Sequence, residues 1–225
     1  MVVINNELIE VHKLQLEIES TGHITNTYVV KDKGTSKVCV IDPAFDEEKI
    51  KQTIGKIRGN LETVVITHSH ADHIAALAKL VEDINVKVYI HSLDYQGLYN
   101  KILNEEDVVQ TKVLPVDRTK VITVEDKEKI TIGGTELEVM HTPGHTKGSM
   151  SLVDRLNNIL YSGDTVFENT YGRTDLITGS HDDMKVSLNK LFKEFDSIQV
   201  LPGHGNEFNL KDSKRKIKLL FAYKG

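Results

Sequence analysis

One cysteine, Cys39, stands in 225 residues. It has no partner within the chain for a disulfide, so the sequence points to a reducing compartment. Long apolar runs are missing too. The opening MVVINNELIEVHKL meets charged residues too early for a secretory signal, and no stretch approaches the roughly 20 residues that cross a bilayer. Positive charge is not in excess: the formal net charge is −5, which gives no global pull toward nucleic acid or an anionic membrane. No Pro-, Gly- or Ser-rich linker interrupts the chain. Residues 1–225 are therefore expected to form one domain of a soluble, cytoplasmic protein, monomer or homodimer, whose partner is a small molecule rather than nucleic acid or a membrane.

Histidine, by contrast, is concentrated. Of ten in the chain, three fall with an aspartate inside THSHADH, residues 67–73. The apolar run TVVI before it reads as a strand, and IAALAKL after it reads as a helix. Alternation of Leu14, Leu16 and Ile18 with polar residues marks an earlier strand, and TNTYVVK and KVCVID mark the next two. Ile50, Ile54 and Ile57 recur at helical spacing. VKVYIH is a further strand. Residues 93–119 are weakly periodic and read as helix and loop. KITIGGTELEVM is a hairpin turning at Gly133-Gly134, and residues 148–164 form a second one, turning near Asn157-Asn158. A helix over 181–195, a strand ending in LPGHG and a closing helix complete the chain. That order predicts an α+β sandwich with sheets inside and helices outside.

Four places share one pattern, in which an apolar strand ends in a ligand-type residue within a Gly- or Thr-rich turn. They are THSHADH, EVMHTPGHT with His145, ILYSGDT with Asp164, and QVLPGHG with His204. Glycine lets the backbone approach closely, and a strand end gives rigid placement. Imidazole with carboxylate suits zinc and, less selectively, iron or manganese. A lone histidine in a turn is usually structural; a dense tract joined by three more strand-end ligands is a metal site.

His68-x-His70-x-Asp72-His73, followed by His145, Asp164 and His204, resembles the ligand set of the metallo-β-lactamase superfamily. VIDPA, HTPGHTKGS, SGDTVF and LPGHG are similar to its motifs. The resemblance implies a four-layer αββα sandwich and two divalent metal ions, most readily zinc, with iron or manganese as options. One ion would sit on His68, His70 and His145, the other on Asp72, His73 and His204, with Asp164 bridging. DTVFENTYGRTD is similar to the hydroxyacylglutathione hydrolase (glyoxalase II) group, of the short type without a C-terminal helical domain, and to persulfide dioxygenases. The implied reaction is attack of a metal-bridging hydroxide on a small acyl thioester or ester, with Asp72 as the catalytic group that orients the water. The alternative is a mononuclear iron persulfide dioxygenase, and an RNA-processing nuclease ranks behind it.

Several residues stay open on sequence. Asp42 either hydrogen-bonds a ligand histidine or closes a strand at an Asp-Pro turn. Arg173 either binds a substrate carboxylate or makes a surface salt bridge. Asp175 stands where the glyoxalase II group has a tyrosine. His141 is expected to be structural, and His12, His23, His91 and His181 are expected not to be ligands. Cys39 should be a small buried residue. Lys211, Lys214, Arg215, Lys216 and Lys218 read as the solvated face of a helix packed through Ile217, Leu220 and Phe221.

Overall fold

The computed structural model describes residues 1–18 and 21–223, with side chains to residue 220. Seven strands pair in chain order in the first sheet: β1 (Val2–Asn5), β2 (Ile9–Ile18), β3 (His23–Asp32), β4 (Lys37–Ile41), β5 (Asn60–Ile66), β6 (Lys87–His91) and β7 (Val121–Val124). The first four are antiparallel to their neighbours, while β4 through β7 run parallel. A second sheet contains β8 (Lys129–Ile132), β9 (Thr135–His141), β10 (Met150–Asp154), β11 (Ile159–Gly163), β12 (Gln199–Pro202) and β13 (Phe208–Asn209), ordered β13-β12-β11-β10-β9-β8. The helices are α1 (Glu47–Lys56), α2 (Ala71–Ile74), α3 (Leu77–Leu80), α4 (Glu106–Val109), α5 (His181–Glu194) and α6 (Leu210–Tyr223).

The two-residue period of a strand divides the core into three layers. On β4, Val38 and Val40 face outward and pack with Ile50 and Ile54 of α1 and with Leu77 and Leu80 of α3. Cys39 and Ile41 face inward, against Leu137, Leu152 and Tyr161 of the second sheet. Burial there pushes the Cys39 thiol pKa up. On the far side, Val153, Leu160 and Val200 pack against Met184, Leu188 and Leu191 of α5 and Ile217 of α6. The layers are thus helix, sheet, sheet, helix, the αββα sandwich expected from the sequence. Central strands are covered on both faces, which is why VCVI and ILY read as continuous apolar runs.

Local signals act as expected at several ends. Asp46 caps α1 by accepting the Lys49 amide, and Ser180 caps α5 by accepting that of Asp183. Gly133 turns the first hairpin at φ 61°. Other features escape the pattern. β1 and β7 are four-residue edge strands, only partly covered, too short for a clear period. The helix expected over IAALAKL is two short ones, because the Ala76 amide leaves the helical ladder for the carbonyls of Pro43 and Ala44. In α6, Ile217 is buried, Lys214 donates to the Phe192 carbonyl and Lys216 to Asn169; the Phe221 side chain lies outside the described ones. Among the described residues, no helix is long and apolar enough to cross a membrane.

Candidate metal centre

The loops that follow β5, β9, β11 and β12 converge at one edge of the sandwich. His70 is extended (φ −65°, ψ 146°) and α2 begins at the next residue. Two side chains therefore leave extended backbone, and Asp72 and His73 are re-aimed from the first turn of a helix. All four are buried.

Donor atoms gather in two adjoining sets. Those of His68, His70 and His145 lie within 4.8 Å of one another, as do those of His23, Asp72 and His204, and a third group of His68, His73 and Asp164 joins the two. His70 Nδ1 is 2.9 Å from His145 Nε2. In the second set, His73 Nε2 is 3.3 Å from His204 Nε2 and 3.5 Å from both Asp72 Oδ2 and Asp164 Oδ1. His204 Nε2 is 3.2 Å from Asp72 Oδ2 and 3.3 Å from Asp164 Oδ2. Asp164 Oδ2 also reaches His145 Nε2 at 3.4 Å, so this one carboxylate touches both sets.

These residues fit a pair of divalent ions. Ligands about 2.0–2.2 Å from a tetrahedral centre are separated from each other by such distances. His68 Nε2 and Asp164 Oδ1 are buried with no hydrogen-bond partner, and buried polar atoms left unpaired are costly. The remote nitrogens of His68, His73, His145 and His204 are occupied. His204 Nδ1 donates to the Ile24 carbonyl at 2.6 Å and His145 Nδ1 to the Arg173 carbonyl at 2.8 Å. His73 Nδ1 donates to Asp42 Oδ2, which also accepts the Thr67 hydroxyl. That hydroxyl in turn accepts from His68 Nδ1 at 3.1 Å. Each such bond presents the other nitrogen's lone pair to the centre.

Without metal, the sets differ in charge. Burial, then the neighbouring His145, pushes His70 down to about 3, and burial with His73 lowers His68. Burial also opposes a charge on His73, yet Asp72, Asp164 and Asp42 hold it up at about 9. His204 is raised against its burial by Asp164 and Asp72. The Asp164 carboxyl is kept well below the usual range, against burial, by His204 and His73.

The structure resolves the open residues. Asp42 does hydrogen-bond His73, at 3.0 Å. Arg173 closes its fork on Asp175 through two bonds of 2.8 Å, so the surface salt bridge is the arrangement realised. His141 stacks on His91 with ring centres 4.0 Å apart and bonds the Lys147 carbonyl, away from the centre. His23, expected to stand apart from the ligands, lies beside them: its Nε2 is 3.0 Å from Asp72 Oδ2 and it groups with Asp72 and His204. The β2–β3 hairpin places it there, 49 positions from Asp72, and no local motif announces it. Asp94 was also invisible in the sequence. Buried at the start of a 3₁₀ turn, it accepts the amides of Ser69 and Gly148 and the Thr146 hydroxyl at 2.7–2.9 Å, tying two ligand loops together.

The centre forms the floor of a cavity of about 320 Å³. Val108, Val109, Phe167 and Leu176 make its wall, and His23, Glu105 and Arg173 its rim.

A layered sandwich with paired His/Asp donor sets under an open cavity defines a metal-dependent hydrolase. The profile of the metallo-beta-lactamase superfamily matches residues 20–204, and the chain belongs to that superfamily. The probable metallo-hydrolase YqgX of Bacillus subtilis is 32% identical over 172 residues, 75% of this chain and 80% of that protein. Hydroxyacylglutathione hydrolase GloC of Haemophilus influenzae is 25% identical, over 78% of this chain and 84% of its own. Among solved structures, the BLEG-1 B3 metallo-beta-lactamase superimposes with a TM-score of 0.81 at 26% identity, covering 93% of this chain and 99% of that one. TTHA1623 in a di-iron-bound form gives 0.79 at 25% identity, covering 92% and 99%. Divalent metal is common to this class; zinc and iron both remain compatible with these donors.

Proposed function

We propose that the protein hydrolyses a small acyl thioester or ester, in the manner of the short glyoxalase II-like enzymes. The observation that carries this reading is Asp164, whose two oxygens face both donor sets directly beneath an apolar-walled cavity. The likeness to GloC points the same way. When bound, two divalent ions supply Lewis acidity and bring the pKa of water toward about 7.

The chain's own groups do the remaining work. His68, His70 and His145 would hold one ion, and Asp72, His73 and His204 the other, with Asp164 shared. Asp72 lines the cavity, where its carboxylate orients the attacking water and accepts its proton. His23, 43% exposed and 3.0 Å from Asp72 Oδ2, stands between that carboxylate and solvent, and passes the proton outward. Val109, Phe167 and Leu176 hold the acyl portion and exclude bulk water. A thiolate leaves without protonation, so a thioester needs no separate general acid, whereas an ester's alkoxide would take back the proton that Asp72 accepts. The complete second set formed by Asp72, His73 and His204 is what favours this reading over a one-iron dioxygenase.

Metal counting combined with a substrate panel tests the proposal. Protein loaded with zinc, iron or manganese is assayed against thioesters, esters and lactones. Two ions per chain with thioester turnover supports it, and His68→Ala or Asp72→Ala should abolish turnover with the circular dichroism spectrum unchanged. One iron per chain, with oxygen consumption and no hydrolysis, overturns it.

A further inference from the structure

Glu105 has a position that local folding does not explain. Its backbone is left-handed (φ 58°, ψ 30°), a region that favours Gly or Asn and penalises a residue with a long side chain. It precedes α4 at the capping position, yet its side chain makes no capping bond. Ser, Asp or Asn would serve the helix better. The side chain instead turns to the cavity above the donor sets, with the residue only 8% exposed. There Oε1 accepts the Ile177 amide at 3.2 Å, which ties the α4 segment to the loop on the opposite rim.

The charge balance of that rim has a definite sign. The cation lining it, Arg173, has its fork filled by Asp175, and Glu105 adds a second carboxylate in the same field. Leaving aside His23, which is engaged by Asp72, one cation therefore stands against two anions. Next to Glu105, Val108 is 57% exposed and Ile177 59% exposed, so an apolar strip flanks the carboxylate. A carboxylate-bearing thiol carrier would meet repulsion at this rim and find no vacant guanidinium. An ammonium, amide N–H or hydroxyl on an otherwise apolar carrier would meet an acceptor.

We infer that Glu105 is a specificity-determining residue: it selects thioesters whose carrier is cationic or a neutral hydrogen-bond donor, and rejects anionic carriers. This rests on the thioesterase reading above and names the substrate class for that same site.

The test uses three thioesters with one acyl group and three carriers, namely thiocholine (cationic, with no amine lone pair to take the acyl group), N-acetylcysteamine (neutral) and 3-mercaptopropionate (anionic). The metal-loaded protein should show kcat/KM falling from the cationic or neutral carriers to the anionic one. Glu105→Gln keeps an acceptor for the Ile177 amide. It should lower the cationic-to-anionic ratio by roughly three- to tenfold, an effect that shrinks in high salt. Asp175→Asn, which opens the Arg173 fork, should move the ratio in the same direction and serves if Glu105→Gln does not fold. Unchanged ratios in both variants overturn the inference while leaving the thioesterase reading intact. If none of the three is hydrolysed, that reading fails instead. Calorimetric binding of the three free thiols then reports the charge order without turnover, and an order insensitive to Glu105→Gln refutes the selective role.

Discussion

The carboxylate of Asp42 accepts the Nδ1–H of His73 at 3.0 Å. Its same Oδ2 atom accepts the Thr67 hydroxyl at 2.7 Å, and Oδ1 accepts the Thr67 amide, also at 2.7 Å. Because Thr67 in turn accepts from His68, one buried aspartate orients histidines of both donor sets. Asp42 sits at φ 51°, a backbone region that costs roughly 1 kcal/mol or more for a non-glycine residue. The fold tolerates that cost where the carboxylate must point back under the ligands.

Asp42→Asn should therefore weaken metal binding without unfolding the protein. An amide can present its NH₂ to His73 in place of an acceptor, and it releases the Thr67 hydroxyl while its oxygen keeps the Thr67 amide. Loss of such outer hydrogen bonds typically weakens metal affinity about 10- to 100-fold. Competition with a chelating dye measures this for both ions. An affinity within a factor of two of the parent protein would show that Asp42 does not hold the ligands.

Metal binding should release protons unequally from the two sets. His70 is pushed down to about 3 and His68 is also lowered, so both are neutral at pH 7.5. His73 is held up at about 9 and His204 is raised, so the second set must shed protons to accept an ion. Metal content should fall from two ions per chain toward one as the pH is lowered toward 5.5, because His73 and His204 of the second set are held protonated while His68 and His70 of the first are not. Sign follows for the metal-free protein too. A raised histidine stabilises the fold fully below its unfolded value near 6.5, and the contribution is lost as pH rises through about 9. Chelator-treated protein should have a lower urea midpoint at pH 9.5 than at pH 6.5. Proton release per ion, read by calorimetry in two buffers, checks the asymmetry; equal release from both sets would contradict it.

Much of the centre is legible in the sequence because its donors lie at ends of apolar strands. His68, His70, Asp72, His73, His145, Asp164 and His204 are each marked by a run that stops in a turn. The period of Val38 to Ile41 likewise exposes the layers, since alternate residues feed two separate cores. His23 and Asp94 carry no such mark. Their roles come from pairing across the sheet and from a 3₁₀ turn that reaches two distant loops, so only tertiary contact defines them. Arg173 is the converse case: its sequence setting left a substrate ligand and a surface salt bridge both open, and Asp175, two residues on, fills the fork. Short edge strands such as β7 bury too little for their period to show.

Asp94→Ala should cost stability as well as function. Two buried donors, the Ser69 and Gly148 amides, lose their acceptor, while the Thr146 hydroxyl can turn to Ser149 Oγ 2.7 Å away. A stranded buried donor costs about 1–3 kcal/mol, so the total is at least about 2 kcal/mol. For a chain of this size that is a fall of roughly 4–8 °C in Tm. Differential scanning calorimetry of the chelated protein isolates this effect from metal loss. A drop of under about 2 °C would mean the loops hold each other without Asp94.

Gly203→Ala should remove the metals while sparing the sandwich. A Cβ at residue 203 would overlap Asp164 Oδ1 and come 2.7 Å from His73 Cε1. The backbone has no room to retreat, since the Gly203 amide donates to the Gly163 carbonyl at 2.9 Å and its carbonyl accepts the Asn26 amide at 2.7 Å. The methyl therefore displaces ligands of the second set and the shared carboxylate together. Gly55→Ala is the matched control: it lies in α1 with nothing within 4 Å of the added Cβ, and alanine in a helix interior gains roughly 0.5–1 kcal/mol over glycine. Metal content by mass spectrometry should fall well below two per chain in Gly203→Ala alone, and its Tm should lose the increment that metal gives the parent. Full metal content in that variant would mean Asp164 and His73 can move apart, and the tight packing around residue 203 would then have no part in holding the centre.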